Sequence, residues 1–253
     1  MTVTFRFSPR LIAIVLTIIA LVLAIISWAL VAYEWSLGVN NTYWVHEAST
    51  LFNVTFEGNV PTWYAVLLLL IAALFSFLIA ADVRQSKSNW RIHWMGLTLL
   101  FLYLSLDEAA AIHEIFTTPT REAFETTGYL YFSWMLVGVP VAIVVALLFL
   151  SFVGNLPKQT KIAFFLAGIV YLTGAVVVES FGANLWYETG GIVTPRYTAI
   201  GGVEEFLEMF GVILAIYGLL DYLHHRVGTI TLHFGETEKI EKEDSNEPSS
   251  LES

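Results

Sequence analysis

Seven acidic side chains of this chain sit inside or at the ends of apolar stretches, where a charge is costly. One stretch reads Ser105-Leu106-Asp107-Glu108 and continues to His113-Glu114. A second, Gly174-Ala175-Val176-Val177-Val178, ends on Glu179. A third begins Gly201-Gly202-Val203 and carries Glu204, Glu205 and Glu208. Carboxylates with one imidazole are oxygen-rich ligands for a divalent cation, and the same groups serve as general acids and bases. Asp107, Glu108, His113, Glu179, Glu204, Glu205 and Glu208 are therefore the candidate metal ligands. Glu108 and His113 are also the candidate catalytic pair, as base and as ligand or proton shuttle.

Like charges this close cannot all ionise in a medium of low dielectric. Three remedies exist: some carboxyls stay protonated, Arg121 and Arg196 fold in from neighbouring loops, or cations bind. A buried polar network that merely joins helices returns about 1 kcal/mol or less per hydrogen bond, which is little for so many carboxyls. The spacing leaves the metal open. Glu205-x-x-Glu208 has the i, i+3 interval of dimetal carboxylate bundles but lacks their histidine, and Glu108 and His113 are five apart. Missing patterns exclude more. There is no cysteine, no His-Glu-x-x-His, no Gly-x-Ser-x-Gly and no phosphate-binding loop.

The elements that must position these groups are membrane spans. The chain is 57% hydrophobic and 13% charged, against roughly 45–50% and about 25% in a soluble domain. About 20 apolar residues cross a bilayer as a helix. Six runs qualify: Leu11–Tyr33, Trp63–Val83, Ile92–Phe116, Tyr129–Val153, Ile162–Phe181 and Thr198–Leu223. The expected fold is an all-α, six-span transmembrane bundle over residues 1–228, followed by an acidic tail over 229–253. That tail holds seven Asp/Glu and two Lys, and its polarity from Glu236 onward predicts disorder. A net charge of −10 argues against nucleic acid as a partner. Asn40-Asn41-Thr42 and Asn53-Val54-Thr55 match the glycosylation pattern. Pro140 falls within the fourth run and predicts a kink.

Lysine and arginine placement orients the bundle. With the N-terminus inside, ten Lys/Arg fall on the inner side and two, Arg121 and Arg196, on the outer side. Both termini are then cytoplasmic in a bacterial-type inner membrane. Counting about 1.5 Å per residue places Asp107, Glu179 and the three α-helical acids Glu204, Glu205 and Glu208 at one level, roughly 6–12 Å below the outer edge of the hydrocarbon. On a straight helix, Asp107 and Glu114 share a face and His113 lies to one side. His46 with Glu47, in the first outer loop, is a candidate cap for the site. His93, His224 and His225 lie at the inner face and read as basic anchors.

These motifs, SLDE…HE, GAxxxE and EExxEM, resemble those shared by a family of uncharacterised bacterial polytopic membrane proteins, over about residues 90–225. The resemblance implies a polytopic membrane fold and no particular activity. Glu204-Glu205-Phe206-Leu207 is also similar to the acidic motif of small membrane lycopene cyclases, but the proline that precedes that motif is absent here.

The function expected from the sequence is a membrane-embedded, acid-lined pocket near the outer leaflet. It holds a divalent metal and acts as a metal-dependent enzyme on a lipid or lipophilic substrate. The competing classes are a proton- or cation-coupled transporter and a structural subunit of a membrane complex.

Overall fold

The computed structural model describes residues 2–5, 8–38, 42–85, 90–227 and 230–233. Nine α-helices account for nearly all of the described chain: α1 (Pro9–Leu37), α2 (Tyr43–Phe52), α3 (Val60–Gln85), α4 (Arg91–Ala110), α5 (Thr117–Phe124), α6 (Met135–Gly154), α7 (Lys158–Leu172), α8 (Glu179–Glu188) and α9 (Pro195–Val227). Short 3-10 turns occupy His113–Phe116 and Gly128–Leu130, and a π-helical segment, Thr173–Val178, joins α7 to α8. One feature is absent from the sequence expectation. Thr2–Phe5 (β1) pairs antiparallel with Ile230–His233 (β2), which ties the two ends of the described chain together. The predicted disorder of residues 236–253 falls outside the described residues.

Five helical stretches are long and apolar enough to cross a membrane alone. A sixth forms if Arg91–Ala110 and His113–Phe124, bent by 71°, count together. These apolar helices point to a membrane-spanning protein. Helix α9 is its hub and packs against α1, α3 and α7, while α3 packs along α4. Leu68, Ile79, Ile213, Ile216 and Leu219 are fully buried where α3 and α9 meet, and Trp94 of α4 is enclosed beside Phe152 and Tyr222. By contrast, Ile14, Ile18 and Ile25 of α1 and Val144, Leu147 and Leu148 of α6 are exposed. A helix apolar all round, with its large side chains outward, has lipid as its solvent.

Local chemistry sets the ends. The Ser8 hydroxyl accepts from Leu11 N at 3.4 Å with Pro9 opening α1, an N-cap with proline in the first turn. Asn59 Oδ1 accepts from Thr62 N at 3.2 Å to start α3, and Thr194 Oγ1 accepts from Tyr197 N at 3.1 Å to start α9. The fourth span is shorter than its apolar run. A 3-10 turn and a bend occupy residues 128–134, so Pro140 lies in the second turn of α6 rather than mid-span. There it removes a hydrogen bond close to the helix start.

Candidate functional site

The helix carrying Asp107 does not run on to Glu114. It ends at Ala110, and Ala111 adopts the left-handed conformation, φ 50° and ψ 41°. A non-glycine residue costs about 1–2 kcal/mol there. The compensation is visible: Asp107 Oδ1 accepts from the His113 backbone N at 2.7 Å, and Asp107 Oδ2 lies 3.1 Å from His113 Nδ1. Both oxygens of one carboxylate hold the turn and the ring at once. Nε2 is the imidazole nitrogen left for a ligand, the arrangement by which an acid orients a metal-binding histidine. The shared face expected for Asp107 and Glu114 on a straight helix is therefore replaced by a tight turn that reaims Glu114.

A second element delivers Glu57. Asn53, almost fully buried, accepts from Thr55 N at 3.1 Å and Thr55 Oγ1 at 2.8 Å. Val54 N donates to Ser27 Oγ of α1 at 3.0 Å. Gly201 of α9 leaves the room that Thr55 fills; a Cβ there would stand 2.3 Å from the Thr55 methyl. This pinned loop turns at Gly58, φ 72°, and presents Glu57 to the end of α4. Asn53 is committed to this structural turn through its side-chain oxygen.

Ligand atoms of Glu57, His113 and Glu114 all lie within 4.8 Å of one another, the one such group among the described residues. Glu57 and Glu114 are exposed and His113 is half-buried. Although the Glu57 side chain is largely open, partial desolvation raises its carboxyl to about 6. The Glu114 charge adds to the rise, His113 opposes it and Asp107 adds a little more.

The remaining acids lie deeper. The π segment ends at Glu179, which is buried and accepts from Trp134 Nε1 at 2.7 Å. That indole also meets His113 edge-on, centroids 5.0 Å apart. It lies over Gly138, where a Cβ would stand 2.3 Å from the ring. Helix α9 can approach because Gly174 of the π segment and Gly211 of α9 itself present no side chain at the contact. A Cβ at Gly174 would meet Glu204 O at 2.8 Å, and one at Gly211 would meet Ala167 O at 2.9 Å. Glu108, Tyr171, Glu205 and Glu208 line a cavity of about 10 Å³, the room of a single water. Tyr171 lies within electrostatic reach of Glu208. Glu205 lies within electrostatic reach of Glu108, Glu208, Glu204 and Glu179. Glu108 in turn is within reach of Glu57, His113 and Asp107.

The acids singled out in the sequence therefore form one electrostatically connected body running from the loop surface into the bundle. Within it, the group close enough to hold one ion is Glu57, His113 and Glu114. Asp107 sits behind His113, while Glu108, Glu179, Glu204, Glu205 and Glu208 lie outside that close group. Sequence analysis missed Glu57, which stands in a polar loop far from the acidic motifs and carries no local signature. Arg121 stacks on Tyr131, 4.4 Å from the ring centroid. Among the described residues neither Arg121 nor Arg196 forms an ion pair with these acids. Of the three ways to relieve the charge, arginines folding in is thus not the one used. His46 pairs with Glu34 at 2.7 Å rather than capping the site. His93 is packed among Trp90, Phe149 and Phe152, and His225 pairs with Asp221 at 3.5 Å.

The chain belongs to the family described as Domain of unknown function (DUF8692), whose model matches residues 12–223. No curated protein and no solved structure matches it.

Proposed function

We propose that this family member is a membrane-embedded enzyme that uses one divalent cation at Glu57, His113 and Glu114 and acts on a lipid or lipophilic substrate. The observation that carries the metal is the convergence of three ligand atoms within 4.8 Å, with Asp107 fixing the histidine from behind. Three protein ligands leave a coordination position for water or substrate, as catalytic sites do and closed structural sites do not. One imidazole and two carboxylates suit Mn²⁺, Fe²⁺ or Zn²⁺ better than Ca²⁺, which takes oxygen. Two carboxylates and a neutral imidazole balance a divalent charge. Glu108, between this triad and the deeper acids, takes the role of general base. Glu179, Glu204, Glu205 and Glu208 form the acidic wall behind it, sharing protons among themselves.

The cation's role there is to polarise a substrate oxygen or lower the pKa of a bound water. The protein's own part is to hold His113 by Asp107, to present Glu108 and to exclude bulk water with Trp134.

The pairing of β1 with β2 supports six crossings, because both chain ends then lie on one side and the count must be even. Arg10, Arg91, Lys158, Lys161 and Arg226 stand at that end of their helices, which supports a cytoplasmic position for it and an outward one for the acidic end. The transport alternative fares less well. Below Glu208, Met209, Val212, Ile213, Ile216, Leu219 and Leu220 of α9 are buried in apolar packing. Across that stretch of about 16 Å α9 carries no acid, histidine, lysine or arginine between Glu208 and Asp221.

The test is elemental analysis of protein purified in mild detergent without chelator, with Glu57→Gln, Glu114→Gln and Glu205→Ala/Glu208→Ala variants. About one equivalent of a transition metal is expected in the wild type, lost in the first two variants. Wild-type protein that stays metal-free after incubation with Mn²⁺, Fe²⁺ and Zn²⁺ overturns the proposal.

A further inference from the structure

Helix α6 leans on the rest of the bundle chiefly through α7, and beside its N-terminal half the contact opens. The opening is a cavity of about 350 Å³, walled by Leu136, Val139 and Pro140 of α6 and by Val176 and Ser180 of the opposite chain segment. That volume lies in the range of ligand sites, about 300–1,000 Å³. The lining is hydrocarbon. The Ser180 hydroxyl is satisfied within the wall, donating to Val176 O at 2.6 Å with Met135 Sδ 3.6 Å away.

Polar groups adjoin the lining at one end. Met135 and Ser180 directly follow Trp134 and Glu179, which are joined by the 2.7 Å indole–carboxylate bond. Trp134 touches His113. Pro140 cannot donate to the carbonyl of Leu136, which leaves an acceptor in the same wall. Further along α6, Val141, Val144, Leu147 and Leu148 are exposed to lipid, so the cavity has hydrocarbon at one side and the acid–histidine site at the other.

We infer that the cavity between α6 and the π segment holds one acyl chain of a bilayer lipid, laying its head group against Trp134, Glu179 and His113. The occupant is a lipid because the walls are apolar, the approach is from the hydrocarbon, and the polar groups gather at one end. Pro140 and Leu130, the latter from the 3-10 turn before α6, line the space. The placement of the head group deepens the proposed metal chemistry and rests on it; the chain-binding groove does not.

The probe is a phosphatidylcholine with a photoactivatable diazirine in one acyl chain, in phosphatidylcholine vesicles containing the full-length protein. Labelled peptides are mapped by mass spectrometry. Labelling is expected to concentrate on residues 130–140 and 176–180. Val139→Trp, which fills the groove, is expected to lower it there about tenfold, equivalent to roughly 1.4 kcal/mol. Leu147→Trp, on the exposed face of α6, leaves it unchanged. Labelling spread evenly over the exposed faces of α1 and α6 in the wild type overturns the inference, as do α6–α6 cross-links from a second copy occupying the groove. The wild-type map decides even if Val139→Trp does not fold. Mapping Glu114→Gln alongside separates the two ideas. Metal absent with labelling retained sinks the metal site alone, and metal present with labelling dispersed sinks the groove alone.

Discussion

Asp107 does more positioning than its place in the acidic motif suggests. Its two oxygens close the Ala111 turn and fix the His113 ring. Asp107→Asn keeps the shape but turns one acceptor into a donor against Nδ1–H. Metal affinity is expected to fall about 10–100-fold, the usual cost of losing such a partner. Isothermal titration with Mn²⁺ or Zn²⁺ measures it, and an unchanged affinity would place Asp107 outside the metal's support. Glu57 gives a pH test. In the metal-free protein its carboxyl is raised to about 6 from 4.5. The folded state therefore holds that proton more tightly than the unfolded chain. The associated stability is fully present below pH 4.5 and is lost as pH rises through about 6. A cation must displace the same proton, so its affinity rises over this window. Glu57→Gln should remove that part of the pH dependence in both unfolding and metal titrations.

The elements are shaped by backbone devices. Ala111 tolerates its left-handed conformation because its side chain is small; a β-branched residue is an outlier there. Ala111→Val should lower stability, moving the cost of this position toward the upper end of about 1–3 kcal/mol, and loosen His113, with both thermal unfolding in detergent and metal content affected. The α7–α9 contact gives a matched pair. A Cβ at Gly211 would meet Ala167 O and Tyr171 N at 2.9 Å, backbone atoms that cannot turn aside, whereas Gly168 has open space. Gly211→Ala should cost about 1–3 kcal/mol by overpacking. Gly168→Ala should be neutral or stabilising by up to about 1 kcal/mol, through helix propensity. Equal effects of the two in thermal unfolding would refute this account of how α9 reaches the acids. In lipid such close contact carries association, because apolar side chains gain little by leaving one apolar solvent for another.

At the level of the whole molecule, the proposed arrangement is six crossings with both termini in the cytoplasm. The chain has no cysteine, so single substitutions report cleanly. A cysteine at Thr127, in the acidic-end loop, should react with a membrane-impermeant maleimide in intact cells. One at Gln159, near the start of α7, should react only after permeabilisation. The reverse pattern would invert the bundle and put the metal site in the cytoplasm.

Much of this was legible in one dimension. Runs of about 20 apolar residues have one stable form in lipid, so the long apolar helices follow from the sequence, although the third run breaks at Ala110 and counts as a span only with the bent segment after it. Acids in such runs are too costly to be incidental, which is why Asp107, Glu108, Glu179, Glu204, Glu205 and Glu208 stood out before any fold was known. What the sequence could not carry was the ligand geometry. Helical periodicity put Asp107 and Glu114 on one face, but the left-handed Ala111 breaks the period between them. Glu57 reaches His113 and Glu114 only because buried Asn53, Ser27 and Gly201 pin its loop against α1 and α9. Pattern along a chain records what solvent each element must face. Which side chains meet is decided by turns and by contacts between residues far apart in sequence, and these leave no periodic trace.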